Sequence, residues 1–164
     1  MSQRKKKNPD SEESLQKLQT LESKWGGQTV RLGWTAIPNL LLERQQALSL
    51  DAVDLNILLV LMKHWWEEDR LPYPSKKKIA DTIGRDGSTV QKHIRKMEGA
   101  GLLVRNPRSY SSTGGQTSNE YDLSGLILEL SKLAEQEAKE RAARKEEDAR
   151  KRRGHIKMED GNNS

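Results

Sequence analysis

Cysteine and phenylalanine are both missing from these 164 residues, and aromatic residues of any kind make up only 4%. Without cysteine, disulfides and thiolate metal sites are excluded. Long apolar runs are missing too: the longest, "ILLVLM" at residues 57–62, is far short of a membrane span. The start, "MSQRKKKNPDSEESLQ", is basic but has no apolar segment behind it, so it does not read as a secretory signal. Hydrophobic residues are 33% and charged residues 32%, too polar a balance for a core that runs the full length. The expectation is a soluble protein of a reducing cytoplasm, with no membrane partner.

Catalytic patterns are also lacking. There is no phosphate loop, no nucleophile elbow and no histidine–carboxylate motif with useful spacing, so neither an enzyme nor a cofactor is expected. His64 and His93 flank apolar positions and His155 is remote, which argues against a metal site.

What the chain does have is positive charge, unevenly spread. The net charge is +5 and the sequence pI ≈ 9.4, which suggests a polyanionic partner. Between Ser75 and Arg108, nine bases face three acids, a net +6 that exceeds the charge of the whole chain.

Residues 1–28 are polar, with Leu15, Leu18, Leu21 and Trp25 spaced either for a small amphipathic helix or for a disordered segment with helical bias. "TVRLGWTAIP" has the content of a short strand, and Pro38 suits the first turn of a helix in "PNLLLERQQAL". The longest buried helix is expected in "SLDAVDLNILLVLMKHWWEEDR", capped by Ser49 or Asp51, its apolar positions running on to Trp65 and Trp66. Trp34, Trp65 and Trp66 read as core or interface rather than base-stacking platforms. "LPYP" ends that helix and offers a short edge strand.

Ser75 caps a further helix with Ile79, Ala80 and Ile83 on its apolar face, and Gly84 suits a left-handed helix end. Asp86 or Ser88 restarts the chain, and Ser88 with Gln91 spells a capping box. On a wheel with Val90 at zero, Ile94 falls at roughly 40 and Met97 at roughly 340 degrees, while Gln91, Arg95, Ser88, Lys92 and Lys96 span roughly 100 to 240 degrees. One face is therefore apolar and the other is made of donors and positive charge. Gly99 and Gly101 break the helix; "LLVR" and "EYDL" read as strands around a Pro-, Gly- and Ser-rich hairpin tip. A C-terminal helix follows, with Leu123, Ile127, Leu130 and Ala134 as a seam.

A B-form major groove, roughly 12 Å wide, admits one helix edge-on. Such a helix needs a buried face, an outer face of hydrogen-bonding side chains, a bracing helix before it and a flanking element that touches phosphate. Residues 75–118 supply these parts in order. "IADTIGRDGSTVQKHIRKMEGAGLLVR" resembles the helix-turn-helix and first wing strand of bacterial winged-helix DNA-binding proteins. Ile79-Ala80, Ile83-Gly84, Ser88-Thr89-Val90, Ile94 and Gly101-Leu102 all stand where that family carries such residues. Residues 33–127 are similar to the small helix-turn-helix proteins of bacterial chromosomes, plasmids and phages, related to the amino-terminal winged helix of replication initiators. Two positions depart from the pattern. Arg85 stands where an apolar turn residue is usual, and Gly87 where a side chain often reaches DNA.

The resemblance implies a mainly α fold with a small β-hairpin: a winged helix-turn-helix at 29–127 behind a flexible extension at 1–28. A charged helix at 128–153 and a disordered tail at 154–164 would follow. It implies double-stranded DNA as partner and a nucleoid-associated location. Gln91 and Arg95 are the candidates for base edges. Ser88, Thr89 and Lys92 are candidates for phosphate at the helix N-terminus. Lys96 and Arg85 lie on the same surface, Lys76 and Lys77 are candidates for the backbone beside it, and Arg105, Arg108 and Tyr110 for wing contacts. The basic runs "RKKK" and "RKRR" add sequence-independent attraction or merely solubilise the tails. The leucine seam suggests a homodimer on two half-sites, and the terminal extensions a protein partner. A sequence-specific transcriptional regulator is the leading expectation; the alternatives are a replication-initiation or plasmid or phage maintenance factor on origin DNA, and a winged-helix protein adaptor.

Overall fold

The computed structural model describes residues 9–67, 69–108 and 118–160, with side chains from residue 13 to residue 152 of these. Tyr110, the hairpin tip and the "RKKK" run at residues 4–7 lie outside the described residues. The chain divides into two units, Met1–Ala36 and Ile37–Ser164.

The first unit holds α1 (Pro9–Trp25) and α2 (Gly27–Arg31). Gly26, at φ 83°, makes the break between them, a conformation that glycine enters without a Cβ penalty. The strand expected in "TVRLGWTAIP" does not form. Val30 N–H instead bonds back to Gly26 O (3.2 Å), and residues 33–38 have no regular structure. Its β-branched residues have no neighbouring strand to pair with among the described residues, so local helical bonding wins.

The second unit begins with α3 (Asn39–Glu43), preceded by Pro38 in an extended conformation. Next comes α4 (Ala52–Lys63), and Asp51, not Ser49, is the cap. Asp51 accepts from the N–H groups of Val53 (2.9 Å) and Asp54 (3.0 Å), while the Asp54 carboxylate accepts from Asp51 N–H (2.9 Å). Helical periodicity suggests that α4 continues through the tryptophans, but it stops at Lys63. His64 and Trp65 N–H turn back to Leu61 and Met62 O (3.0 and 3.1 Å), and only Trp65 packs on the core. Trp66 is 76% exposed and Trp34 57%, so of the core-or-interface placement expected for them neither takes the core.

α5 (Lys76–Ile83) and α6 (Gly87–Gly99) follow, then β1 (Val104–Asn106) and β2 (Glu120–Asp122), paired antiparallel with Arg105 opposite Tyr121. "LPYP" forms no strand; it gives β2 a single backbone bond, Tyr121 N–H to Pro72 O (2.9 Å). Ile57, Leu58 and Leu61 of α4, Ile79 of α5, Val90, Ile94 and Met97 of α6, and Leu103 and Tyr121 from the hairpin form one core.

The last element, α7 (Ser124–Asp160), runs 37 residues in one piece. Its buried positions are Leu123 just before it and Leu126 within it, with Leu130 and Leu133 packed on the same core. Ile127, expected in the seam, is 47% exposed. The apolar stripe is thus rotated from the one read in the sequence, and it is consumed inside its own chain. Farther out, Glu137 pairs with Arg44. The exposed rod beyond is laced by Glu140–Arg144 and Glu147–Lys151 pairs at i,i+4 spacing, and it continues past residue 154, where the composition suggests a tail.

The start of α7 sits hard against the chain leading into β1. Leu126 N–H, an orphan donor of the first turn, bonds to Leu102 O (2.8 Å). A Cβ on Gly125 would lie 1.9 Å from Gly101 O, whereas nothing lies within 4 Å of one on Gly99. Gly125→Ala is therefore expected to destabilise the protein by about 1–3 kcal/mol. Gly99→Ala should stabilise it by up to about 1 kcal/mol. Denaturant unfolding of the two variants checks the opposite signs.

Candidate nucleic-acid interface

Three local devices make the helix–corner–helix. Ser75 Oγ accepts from Lys78 N–H (3.1 Å) to start α5. Gly84, at φ 65°, closes it in the left-handed conformation. Asp86 then caps α6 by accepting from Thr89 N–H (2.8 Å). The capping box spelled by Ser88 and Gln91 does not form, because Ser88 already lies inside the helix and its hydroxyl donates to Asp86. Thr89 Oγ1 donates to the same carboxylate (2.7 Å). The hydroxyls of Ser88 and then Thr89 hold Asp86 well below the usual carboxylate range. The N-terminus of α6 thus carries an anion of its own, and a phosphate approaching Ser88 and Thr89 meets a competitor.

A buried carboxylate fixes the roll of α6. Asp54 is fully buried, yet it bonds His93 Nδ1 (2.7 Å) and the Lys96 ammonium. Lys96 also reaches Asp51 (3.0 Å). Its pKa is raised, first by the bond to Asp54 and next by the bond to Asp51. Desolvation is the largest single influence on Asp51 and pushes upward, but bonds from Asp54 N–H, Lys96 and Val53 N–H together hold it at about 2. Asp51, Asp54 and His93 place donor atoms within 4.8 Å of one another. The Lys96 ammonium already supplies positive charge between the two carboxylates, which is a structural tie and not a ligand set.

On the opposite flank of α6, Glu98 grips Arg105 of β1 through Nε (2.8 Å) and Nη2 (2.7 Å). That bidentate pair lowers the Glu98 pKa and raises that of Arg105. Arg108 pairs with Glu120 (3.2 Å) and Lys77 with Asp81 (2.6 Å). Four of the candidate cations, Lys96, Arg105, Arg108 and Lys77, are thus engaged within the chain. Between the two tied flanks, Gln91, Lys92 and Arg95 make no side-chain hydrogen bond or ion pair among the described residues, and neither do Arg85 on the corner and Lys76 on α5, though the Arg95 charge also acts on Glu98. Lys76 lies along α6, its Cε 3.7 Å from where a Gly87 side chain would begin. A polar groove of ≈ 430 Å³ brings Lys76, Lys77, Gln91 and Arg105 together with Ser118 and Asn119 at the root of the wing.

The sequence reading missed the Asp54–His93–Lys96 tie. The repeated aspartate in "DAVD" is its only local signal, and it reveals the cap but not the partner helix. Asp51→Asn preserves capping ability but removes the charge. Because the folded pKa is about 2 against an ordinary 3.8, the carboxylate adds stability above about pH 4 that is lost as pH falls toward 2. Wild type is expected to be more stable than Asp51→Asn at pH 7, with the gap closing across that window in urea titrations at stepped pH.

Comparison with known proteins agrees with this geometry. Residues 49–103 match the helix-turn-helix domain family. The crystal structure of the N-terminal domain of DnaD protein from Geobacillus kaustophilus HTA426 superposes with a TM-score of 0.52 at 21% identity, over 73% of this chain and 96% of that one. A possible transcriptional regulator from Methanosarcina mazei Go1 gives a TM-score of 0.41 at 22% identity, over 62% and 80%. No curated protein matches the sequence. Among the described residues, no helix is long and apolar enough to cross a membrane. With α4, α5 and α6 on that matched span and the β1–β2 hairpin behind them, the fold is a winged helix-turn-helix, similar over residues 49–103 to this family.

Proposed function

We propose that this protein binds double-stranded DNA in a sequence-specific manner, inserts α6 into the major groove, and serves as a transcriptional regulator without catalytic chemistry of its own. One observation carries the reading: the outer stripe of α6, Gln91, Lys92 and Arg95, makes no side-chain hydrogen bond or ion pair among the described residues while both of its flanks are tied down. A helix held this firmly, with its donors unspent, suits base-edge readout, Arg95 to guanine and Gln91 to adenine. Lys76, lying beside Gly87, supports the backbone contact that sets register. The basic stretch from Ser75 to Arg108 favours the same partner, and the proposed setting is the nucleoid.

A homodimer on two half-sites belongs to this proposal, but the leucine stripe of α7 is spent within the chain. Among the described residues of that helix, exposed Ile127 and Leu128 are the large apolar positions left for a second copy.

Selection of bound sequences from a random duplex pool at physiological salt tests the proposal, since it reports binding, preference and half-site symmetry together. Recovery of no preferred sequence would sink it. On a selected site, Arg95→Ala is expected to cost about 1–3 kcal/mol and to relax preference at one base pair. Lys76→Ala should weaken all sequences alike and lower the salt slope by about one. Lys92 and Lys96, four residues apart, are expected to behave differently. Lys96→Ala should lower folding stability by about 1–2 kcal/mol by stripping a partner from buried Asp54. Lys92→Ala should leave stability within about 0.5 kcal/mol and weaken DNA binding.

A further inference from the structure

The short span between α4 and α5 carries a feature that duplex binding does not use. The two adjacent tryptophans part there: Trp65 turns toward the core and Trp66 is 76% exposed. Trp66 opens onto a cleft of ≈ 320 Å³ together with His64, Glu67, Arg70, Leu71 and Tyr73. A tight turn, closed by Arg70 N–H to Glu67 O (3.3 Å), presents Arg70 at the mouth. Tyr73 orders the cations around it: its hydroxyl accepts from Arg70 Nη2 (3.2 Å), and the Arg108 guanidinium stacks over its ring at 4.4 Å.

An exposed indole offers a flat apolar face and a donor edge to a ligand, and its surroundings narrow what that ligand is. Burial, then the nearby charges of Lys63 and Lys78, lower the pKa of His64, so two further cations lie close to the cleft. Lys78 belongs to the same basic start of α5 as Lys76, which lies against α6. Positive charge therefore runs from the outer stripe of α6, across the beginning of α5, to the cleft, where Arg70, Lys63 and Lys78 stand against Glu67. A polyanion fits that track, whereas an apolar peptide would leave the Arg70 guanidinium with the Tyr73 hydroxyl alone. A duplex offers the cleft phosphates but no base faces, because its bases are stacked on one another. Unpaired nucleotides offer both.

We propose that this cleft binds unpaired DNA: a base stacks on Trp66, and Arg70, set by Tyr73, holds the adjoining phosphate. The inference rests on the DNA-binding reading and adds a second, single-stranded footprint to it. The protein would then favour duplex that ends, or opens, beside the segment held by α6.

Fluorescence anisotropy at fixed salt tests this with three probes: a blunt mixed-sequence duplex, the same duplex with a thymidine overhang, and oligothymidylate alone. The overhang is expected to tighten binding by about 5- to 100-fold per stacked base. Trp66→Ala should abolish that gain and leave blunt-duplex affinity unchanged; Trp66→Phe should keep most of it, and Arg70→Ala should reduce it. Trp66 is exposed, so its variants fold, and thermal unfolding confirms this. The proposal is overturned if the overhang gives no gain, if the gain survives Trp66→Ala and the indole serves a protein partner instead, or if blunt and overhung duplex weaken together. Oligothymidylate binding that depends on Trp66, with no blunt-duplex binding, would uphold the cleft and defeat the duplex reading; the reverse would do the opposite.

Discussion

A single carboxylate buried between two helices decides how this domain presents itself. Asp54 closes the cap of α4 and at the same time receives His93 and Lys96 from α6. A charge with no exposure to water persists only if it is fully paired, so α6 has one roll angle at which Asp54 is satisfied. At that angle Val90, Ile94 and Met97 point to the core and Gln91, Lys92 and Arg95 point away. The Glu98–Arg105 pair repeats the device on the other flank, joining α6 to the wing. Polar ties on both sides, more than the apolar stripe alone, define which residues are free to meet a partner.

What could be read in the sequence is what depends on near neighbours along the chain. Ser75 as a cap, Gly84 as a left-handed end and the apolar stripe of α6 follow from backbone stereochemistry and helical spacing, and the structure has all three. The elements misread are those where composition competes with context. Val30 sits in a β-favouring stretch with no strand to join, and Trp65 and Trp66 continue a helical period after the backbone has turned. The rotated stripe of α7 is of the same kind: Ile127 and Leu126 are equally apolar, and only the docking of the first turn on Leu102 decides which one is buried.

The candidate site shows the same division more sharply. Residue type and wheel position place Lys92 and Lys96 together as exposed cations, yet one has no ion pair among the described residues and the other is bound to two aspartates forty-odd positions upstream. Arg105 and Arg108 differ from Arg95 in the same way, by carboxylates that only the folded hairpin brings near. Asp86 is the reverse case: its capping role was legible, but not that it would draw both Ser88 and Thr89 onto itself and so occupy the positive end of the helix.

The seating of α7 on the loop before β1 has a mechanical consequence. With no side chain at Gly125 and a backbone bond from Leu126, the rod is clamped at its root, and Arg44 braces it again at Glu137. From that brace it extends about 35 Å to Asp160. Force or torque applied at the far end would be delivered to the strand that shares Arg105 with α6, which makes the rod a handle on the angle of that helix.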